Sequence, residues 1–270
     1  MRLRLARRHY EYQYYPENAP KHFKATPLVS IIMPTIGRNA TEAIDSVLAQ
    51  THKNWELIIV GDGAPPYPAS NIGDGRIKWY WIEKVRHYPD HPFYQWLSGP
   101  CRAINYGLSR LRGDWIARID DDDVWHPRHL EWALEAATKY DYEFVSFPID
   151  LNGRQPIPDV HCGQAVGAVQ SWLYRGYLRY FETNLHCWRK RRNAVNDIDL
   201  SERMARAGVK ITFICGSDTE SHAIIKPRLG LTEVGIKGWL QEGEQNARGQ
   251  EFSGGDTGQG RQQGNPEQER

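Results

Sequence analysis

Short apolar runs bounded by turn-forming residues recur along the chain, and between them apolar positions repeat with the spacing of one helical face. Val29 to Met33 (VSIIM) is a β-rich run ended by Pro34. Asn39, followed three residues later by Glu42, resembles a capping box in front of Ile44, Val47 and Leu48, so strand, loop and helix follow in order. Trp55 to Val60 (WELIIV) predicts a second buried strand, closed by Gly61-Asp62-Gly63 and Pro65-Pro66, and Ile77 to Ile82 (IKWYWI) a third. Arg102 to Leu111 predicts a helix before Gly113. Trp115 to Ile119 predicts a strand running into Asp120 to Asp123, and Pro127 opens a helix through Ala137. Phe144 to Ile149 reads as a strand, Asp197 to Ala207 as a helix ended by Gly208, and Lys210 to Ile214 as a returning strand. This alternation predicts an α/β domain, a mostly parallel central sheet flanked by helices, with ligands beyond the strand C-termini.

Composition adds boundaries. The 270 residues are 40% hydrophobic, enough for a full core. No apolar run approaches the roughly 18 to 20 residues of a membrane span, and Met1 to Arg8 is basic with no apolar stretch after it, so neither a span nor a secretory signal is expected. From Gln241 onward there are seven Gly, many Gln and Glu, and Phe252 as the one large apolar residue, which predicts a disordered polar tail over 241–270. Residues 1–26 form a basic, Tyr-rich N-terminal arm, expected to lie extended on the domain at 27–240, with peripheral contact to anionic lipid as its other use. The net charge of +1 conceals +4 over residues 1–26 and −3 over 241–270, leaving no basic face for nucleic acid. The cysteines at 101, 162, 187 and 215 contain no Cys-x-x-Cys pair, and His161-Cys162 and His186-Cys187 lack finger-like spacing. A reducing, cytoplasmic setting is expected.

The chemistry concentrates where buried strands end. Asp62 and Asp120 to Asp123 all follow such strands, so several carboxylates converge on one rim of the sheet. Adjacent carboxylates repel one another, and their hard oxygens suit Mg²⁺ or Mn²⁺ carrying a diphosphate. The bland alternative is a solvated acidic turn. Against it, the run is bracketed by a buried strand and by Val124-Trp125. The segments VSIIMPTIGR, ELIIVGDG, GDWIARIDDDDVWHP and NDIDLSERMARAG, in this order, resemble a family 2 glycosyltransferase with a GT-A fold over residues 27 to 225. A dinucleotide enzyme is disfavoured, because no Gly-x-Gly-x-x-Gly turn follows the first strand.

The resemblance implies an inverting, metal-dependent transfer of a sugar from a nucleotide-diphosphate donor, a UDP-sugar by first expectation, to a saccharide or lipid-linked acceptor. Carried over position by position, it implies that Pro34, Thr35 and Arg38 line the nucleotide pocket and that Asp62 bonds the base. Asp120 and Asp121 would face ribose and sugar, Asp122 would hold the metal, and His222 would complete the metal shell. Asn105 and Gly107 match a donor-contacting helix, and Asp123 would be a helix N-terminal carboxylate. Asp197 matches the aspartate that serves as general base, with Asp199 pointing elsewhere. Four positions depart from the pattern: Ile36 for an aromatic, Gly61 for an aspartate, Ile104 for an arginine and Asn196 for a glutamate. Arg102, two residues before Ile104, is expected on a different helical face. In the acceptor half, Ser171 to Arg175 and Trp188 to Arg192 combine aromatic faces with cations, making Trp172 and Trp188 candidate acceptor contacts. A nucleotidyltransferase of related fold and a non-catalytic nucleotide-sugar module are the alternatives.

Overall fold

The computed structural model describes residues 2–7, 26–63, 73–84, 91–151, 158–190, 195–214 and 223–225. These belong to the unit Met1–Arg228. Most of the N-terminal arm, Pro65-Pro66, Cys215, His222 and the polar tail lie outside the described residues.

The main sheet is built on β1 (Val29–Thr35), paired in parallel with β2 (Trp55–Asp62) on one side and β4 (Trp115–Arg118) on the other; β3 (Ile77–Ile82) extends it beyond β2. The Val29 to Met33 run does not stop at Pro34 as expected: the strand continues through Thr35, with Pro34 opposite Val60. Ile119 N–H bonds the Ile32 carbonyl, so even-numbered residues of β1 direct their backbone groups toward β4. The β1–β4 ladder ends at Ile32 and Arg118, so the N–H that Pro34 lacks falls past the last rung.

Beyond β4 the sheet continues through β10 (Leu173–Arg175), β6 (Phe144–Ser146) and β11 (Ile211–Phe213), giving the order β11-β6-β10-β4-β1-β2-β3. Strand β10 is antiparallel to both β4 and β6, while β11 runs parallel to β6. The segment Ser171 to Arg175, expected at the acceptor surface, is therefore mostly an internal strand. A second, three-stranded sheet pairs β5 (Asp123–Trp125) with β12 (Ala223–Ile225), which also pairs β7 (Asp150–Leu151). Strands β8 (Asp159–His161) and β9 (Gln164–Val166) form a hairpin.

Alternation along β1 and β2 divides the core by face. Ile31, Met33, Leu57 and Ile59 join helices α1 (Thr41–Leu48) and, later in the chain, His129–Lys139 through Ile44, Val47, Leu130 and Leu134. Ile32, Ile58 and Val60 face the opposite way, toward Cys101–Arg110 and Asn196–Arg206, meeting Ile104, Leu108, Leu200 and Met204. In chain order α2 is Pro92–Ser98, α3 Cys101–Arg110, α4 His129–Lys139 and α5 Asn196–Arg206. Helix α1 begins at Thr41, and the Asn39 carboxamide accepts from the Thr41 N–H at 3.0 Å.

Residues 2–7 are helical rather than extended. Leu3 is buried in the second core, and Arg7 grips Glu143 with Nε at 2.6 Å and with Nη2, which also reaches the Gly208 carbonyl at 3.0 Å. Tyr177 Oη and the Lys210 N–H also donate to Glu143, at 2.6 and 2.9 Å. Burial pushes that carboxyl upward, but these donors together hold it below its ordinary value. No described helix is long and apolar enough to cross a membrane.

Candidate active site

Strands β1, β2 and β4 run in one direction, so Thr35, Asp62 and the start of the acidic run emerge at the same rim. There the chain turns tightly, Asp123 N–H to Asp120 carbonyl at 3.2 Å. The turn gathers acidic side chains: one carboxylate oxygen from each of Asp120, Asp122 and Asp123 lies within 4.8 Å of the others. A divalent ion with oxygen ligands at roughly 2.1–2.6 Å spans that spacing, and an all-carboxylate set suits Mg²⁺ or Mn²⁺. Asp123 is buried in β5, paired against Ile225, and is not the helix-terminal carboxylate expected of it; α4 begins only at His129.

Asp121 turns the other way and accepts from Thr35 Oγ1 at 2.6 Å, while Thr35 accepts from the Gly37 N–H at 3.1 Å. Burial raises the Asp121 carboxyl, opposed by the Thr35 bond and reinforced by its acidic neighbours. Arg38 Nη1 meets Asp122 Oδ2 at 3.1 Å, so a guanidinium occupies the carboxylate assigned to the metal. Pro34 is buried in β1 beneath these groups. At the neighbouring strand end Arg102 Nη1 donates to Asp62 Oδ1 at 3.0 Å. Arg102 thus reaches the end of β2 from α3, although helical spacing separates it from Ile104, which is buried in the core.

The start of α5 is joined to the acidic bend through Arg118. Arg118 donates through Nε and Nη2 to Asp120 Oδ1 at 3.3 and 3.1 Å, and through Nη1 to Asn196 Oδ1 at 3.3 Å. Asp120 also receives Gln170 Nε2 at 3.3 Å, and Asn196 Nδ2 donates to the Leu97 carbonyl at 3.1 Å. Asp197, next in the chain, accepts the Ile198 N–H at 2.8 Å. Burial raises its carboxyl, Arg118 and the backbone donors oppose the rise, and the charge on Asp120 adds to it. The base candidate and the acidic bend therefore share one electrostatic neighbourhood. Asp199 is fully buried and held by Lys190 and by Arg203 Nε at 2.8 Å, which makes it an anchor for α5.

Other expected contacts fall elsewhere. The Asn105 carboxamide is committed to Thr183: Oδ1 accepts from its N–H at 2.8 Å and its hydroxyl at 2.7 Å, and Nδ2 donates to its carbonyl at 2.9 Å. Gly107 is where α3 presses on the sheet, for an added Cβ would stand 2.7 Å from Ile32 Cγ2. Trp172 is only 2% exposed, with its N–H on the Gly167 carbonyl at 2.7 Å and its ring edge-on to Phe144. Contrary to expectation, it has no face to offer an acceptor. Trp188 is half-buried, stacked on Tyr94 at 5.1 Å with the Arg189 guanidinium 4.8 Å over its ring. His222 lies outside the described residues. Arg118 and Gln170 were not anticipated; Arg118 stands two residues before Asp120, the spacing that puts strand side chains on one face.

The family model for glycosyl transferase family 2 matches residues 30–200. The putative colanic acid biosynthesis glycosyl transferase WcaA of Escherichia coli (strain K12) is 36% identical over 114 residues, 40% of this chain and 37% of that protein. The chain spans well under half the length of the curated relatives it matches. Among solved structures, S. aureus TarS 1-349 in complex with UDP-GlcNAc has a TM-score of 0.57 at 17% identity, covering 75% of this chain and 59% of that one. The mannosyltransferase PcManGT from Pyrobaculum calidifontis, in complex with GDP-Man and Mn2+, has a TM-score of 0.54 at 14% identity, covering 86% and 66%. The fold is accordingly GT-A. The matched residues include the acidic bend after β4 and the first turn of α5, and the chain belongs to glycosyl transferase family 2.

Proposed function

We propose that the chain moves a sugar from a nucleoside diphosphate donor to an acceptor hydroxyl with inversion, in a single displacement. The reading is supported above all by Arg118, which ties the acidic bend to the first turn of α5, the turn that carries Asp197. Thr35, Arg38 and Asp62 line the nucleotide side, with Pro34 shaping the strand end below them. Asp120, Asp122 and Asp123 would hold Mn²⁺ or Mg²⁺, which when bound supplies positive charge to the departing diphosphate. Asp121, bonded to Thr35, fixes the turn beside the sugar.

Asp197 takes the proton from the acceptor hydroxyl as its oxygen attacks the anomeric carbon and the bond to the diphosphate breaks. The raised carboxyl is the stronger base for that step. Trp188, with Tyr94 and Arg189 beside it, is the remaining aromatic contact for a saccharide or lipid-linked acceptor. A cytoplasmic setting, with peripheral contact to the membrane through the arm, accords with this donor chemistry.

Asp197→Asn is expected to retain UDP binding with Mn²⁺ while losing transfer, and Asp122→Ala to lose the metal-dependent part of that binding. Calorimetry on both variants, beside a product assay for free nucleoside diphosphate, makes the division. Undiminished transfer by Asp197→Asn would remove it as the base.

A further inference from the structure

Arg118 has its side chain almost wholly buried and carries one cation between the bend after β4 and the start of α5. Nε and Nη2 converge on one oxygen of Asp120, on the bend after β4, and Nη1 crosses to Asn196 at the first turn of α5. Each end is secured separately: Gln170 donates to Asp120, and Asn196 donates to the backbone at Leu97. A planar guanidinium with fixed donor directions sets a distance in a way that a lysine ammonium cannot.

We propose that Arg118 is a positioning residue for transfer, its guanidinium fixing the gap between the carboxylates at the bend and the base-bearing turn of α5. Asn196 is its second half. A neutral carboxamide can accept from Arg118 while donating to Leu97, so it joins the guanidinium to the backbone and adds no charge beside Asp197. The proposal rests on the reading of Asp197 as the base, since the gap matters only if attack is launched from that turn. Arg118 touches neither donor nor acceptor on this account. Its effect is geometric, and misplacement by about 1 Å costs on the order of a hundredfold in rate.

The test is a split between kcat and donor affinity in the full chain, using UDP with Mn²⁺ as the binding probe. Arg118→Lys, which keeps the charge, is expected to bind the probe within about threefold of the parent while kcat falls about a hundredfold. Asn196→Ala leaves the Arg118–Asp120 pair in place and is expected to lower kcat about tenfold with donor KM unchanged. It keeps the proposal testable if Arg118→Lys fails to fold. Added guanidinium ion is expected to restore part of the activity of Arg118→Ala but none of that of Asp197→Asn. Parental kcat in both Arg118→Lys and Asn196→Ala, with Asp197→Asn inactive, overturns the proposal and spares the base assignment. Full activity in Asp197→Asn overturns the base assignment instead.

Discussion

Arg102 and Asp62 meet across the boundary between α3 and the end of β2, Nη1 to Oδ1 at 3.0 Å. The remaining guanidinium nitrogens of Arg102 have no partner among the described residues. A cation with donors to spare thus stands beside the carboxylate assigned to the nucleobase. Arg102→Ala is expected to weaken binding of UDP about tenfold, about 1.4 kcal/mol, with little change in melting temperature because the pair is partly exposed. Calorimetry and a thermal melt on the same sample check it. An unaltered Kd would show that Arg102 serves only the free protein.

Asn105 looks like a donor contact in the sequence and a clamp in the structure. Its carboxamide holds the backbone and hydroxyl of Thr183, whose hydroxyl also donates to the Cys101 carbonyl at 3.0 Å. Asn105→Ala is expected to cost about 1–3 kcal/mol of stability, the range for leaving buried polar groups unpartnered, while nucleotide affinity stays the same. Urea unfolding separates this from a direct donor contact, which would lower affinity without moving the unfolding midpoint.

Gly107 makes a similar case through packing. A methyl group there would meet Ile32 at 2.7 Å, inside the core between α3 and β1. Gly107→Ala is expected to destabilise by roughly 1–3 kcal/mol, the usual range for overpacking. An unchanged midpoint would mean that α3 can lift from the sheet at no cost.

Two carboxylates shift in opposite directions and bear on different measurements. Glu143 is held below its ordinary value of 4.5, so its contribution is present above that pH and is lost as pH falls through the lower folded value. Glu143→Gln is therefore expected to be less stable than the parent at neutral pH, by about 1–3 kcal/mol. The two stability curves should converge as pH falls through the lowered folded value, and parallel curves would refute the assignment.

Asp197 is raised above its ordinary value of 3.8, so as a base it loses its proton only at higher pH. The acid limb of kcat/KM is expected above the usual carboxylate range. The same shift makes its ionisation destabilising: its contribution to the fold is full below the unfolded value and is lost as pH rises through the folded one. A rate profile that stays flat down to pH 4 would remove Asp197 from the role.

The strand–turn logic of the donor side was legible because its signals are local. Apolar runs of five or six residues gave β1, β2 and β3, and the acidic run after Ile119 marked the bend. The starts of α1, α3, α4 and α5 were legible to within two residues, whereas α2 and the helical residues 2–7 were not foreseen. What escaped notice depends on pairings distant in sequence. Leu173–Arg175 is three residues long, too short to show a period, and its aromatic and basic character suggested a surface. Its place between β6 and β4 buries Tyr174 and leaves the Arg175 guanidinium over the Trp115 ring at 4.0 Å. Arg102 lies on a different face from Ile104 as expected, but its contact with Asp62 was not legible, because helical phase fixes where a Cβ points, not how far a long side chain travels. Arg118 was readable as a neighbour of Asp120, but its second partner lies 78 residues away.

Strand β10 limits how the stretch around it can be exchanged. Its ladder is made on both edges, so this stretch is threaded through the middle of the sheet. A chimaera that imports residues 169 to 190 wholesale must rebuild two rows of strand pairing and the aromatic contacts beneath them. Single changes after Phe181, around the turn bearing Trp188, leave that strand pairing in place, whereas exchanging the whole stretch as a cassette does not.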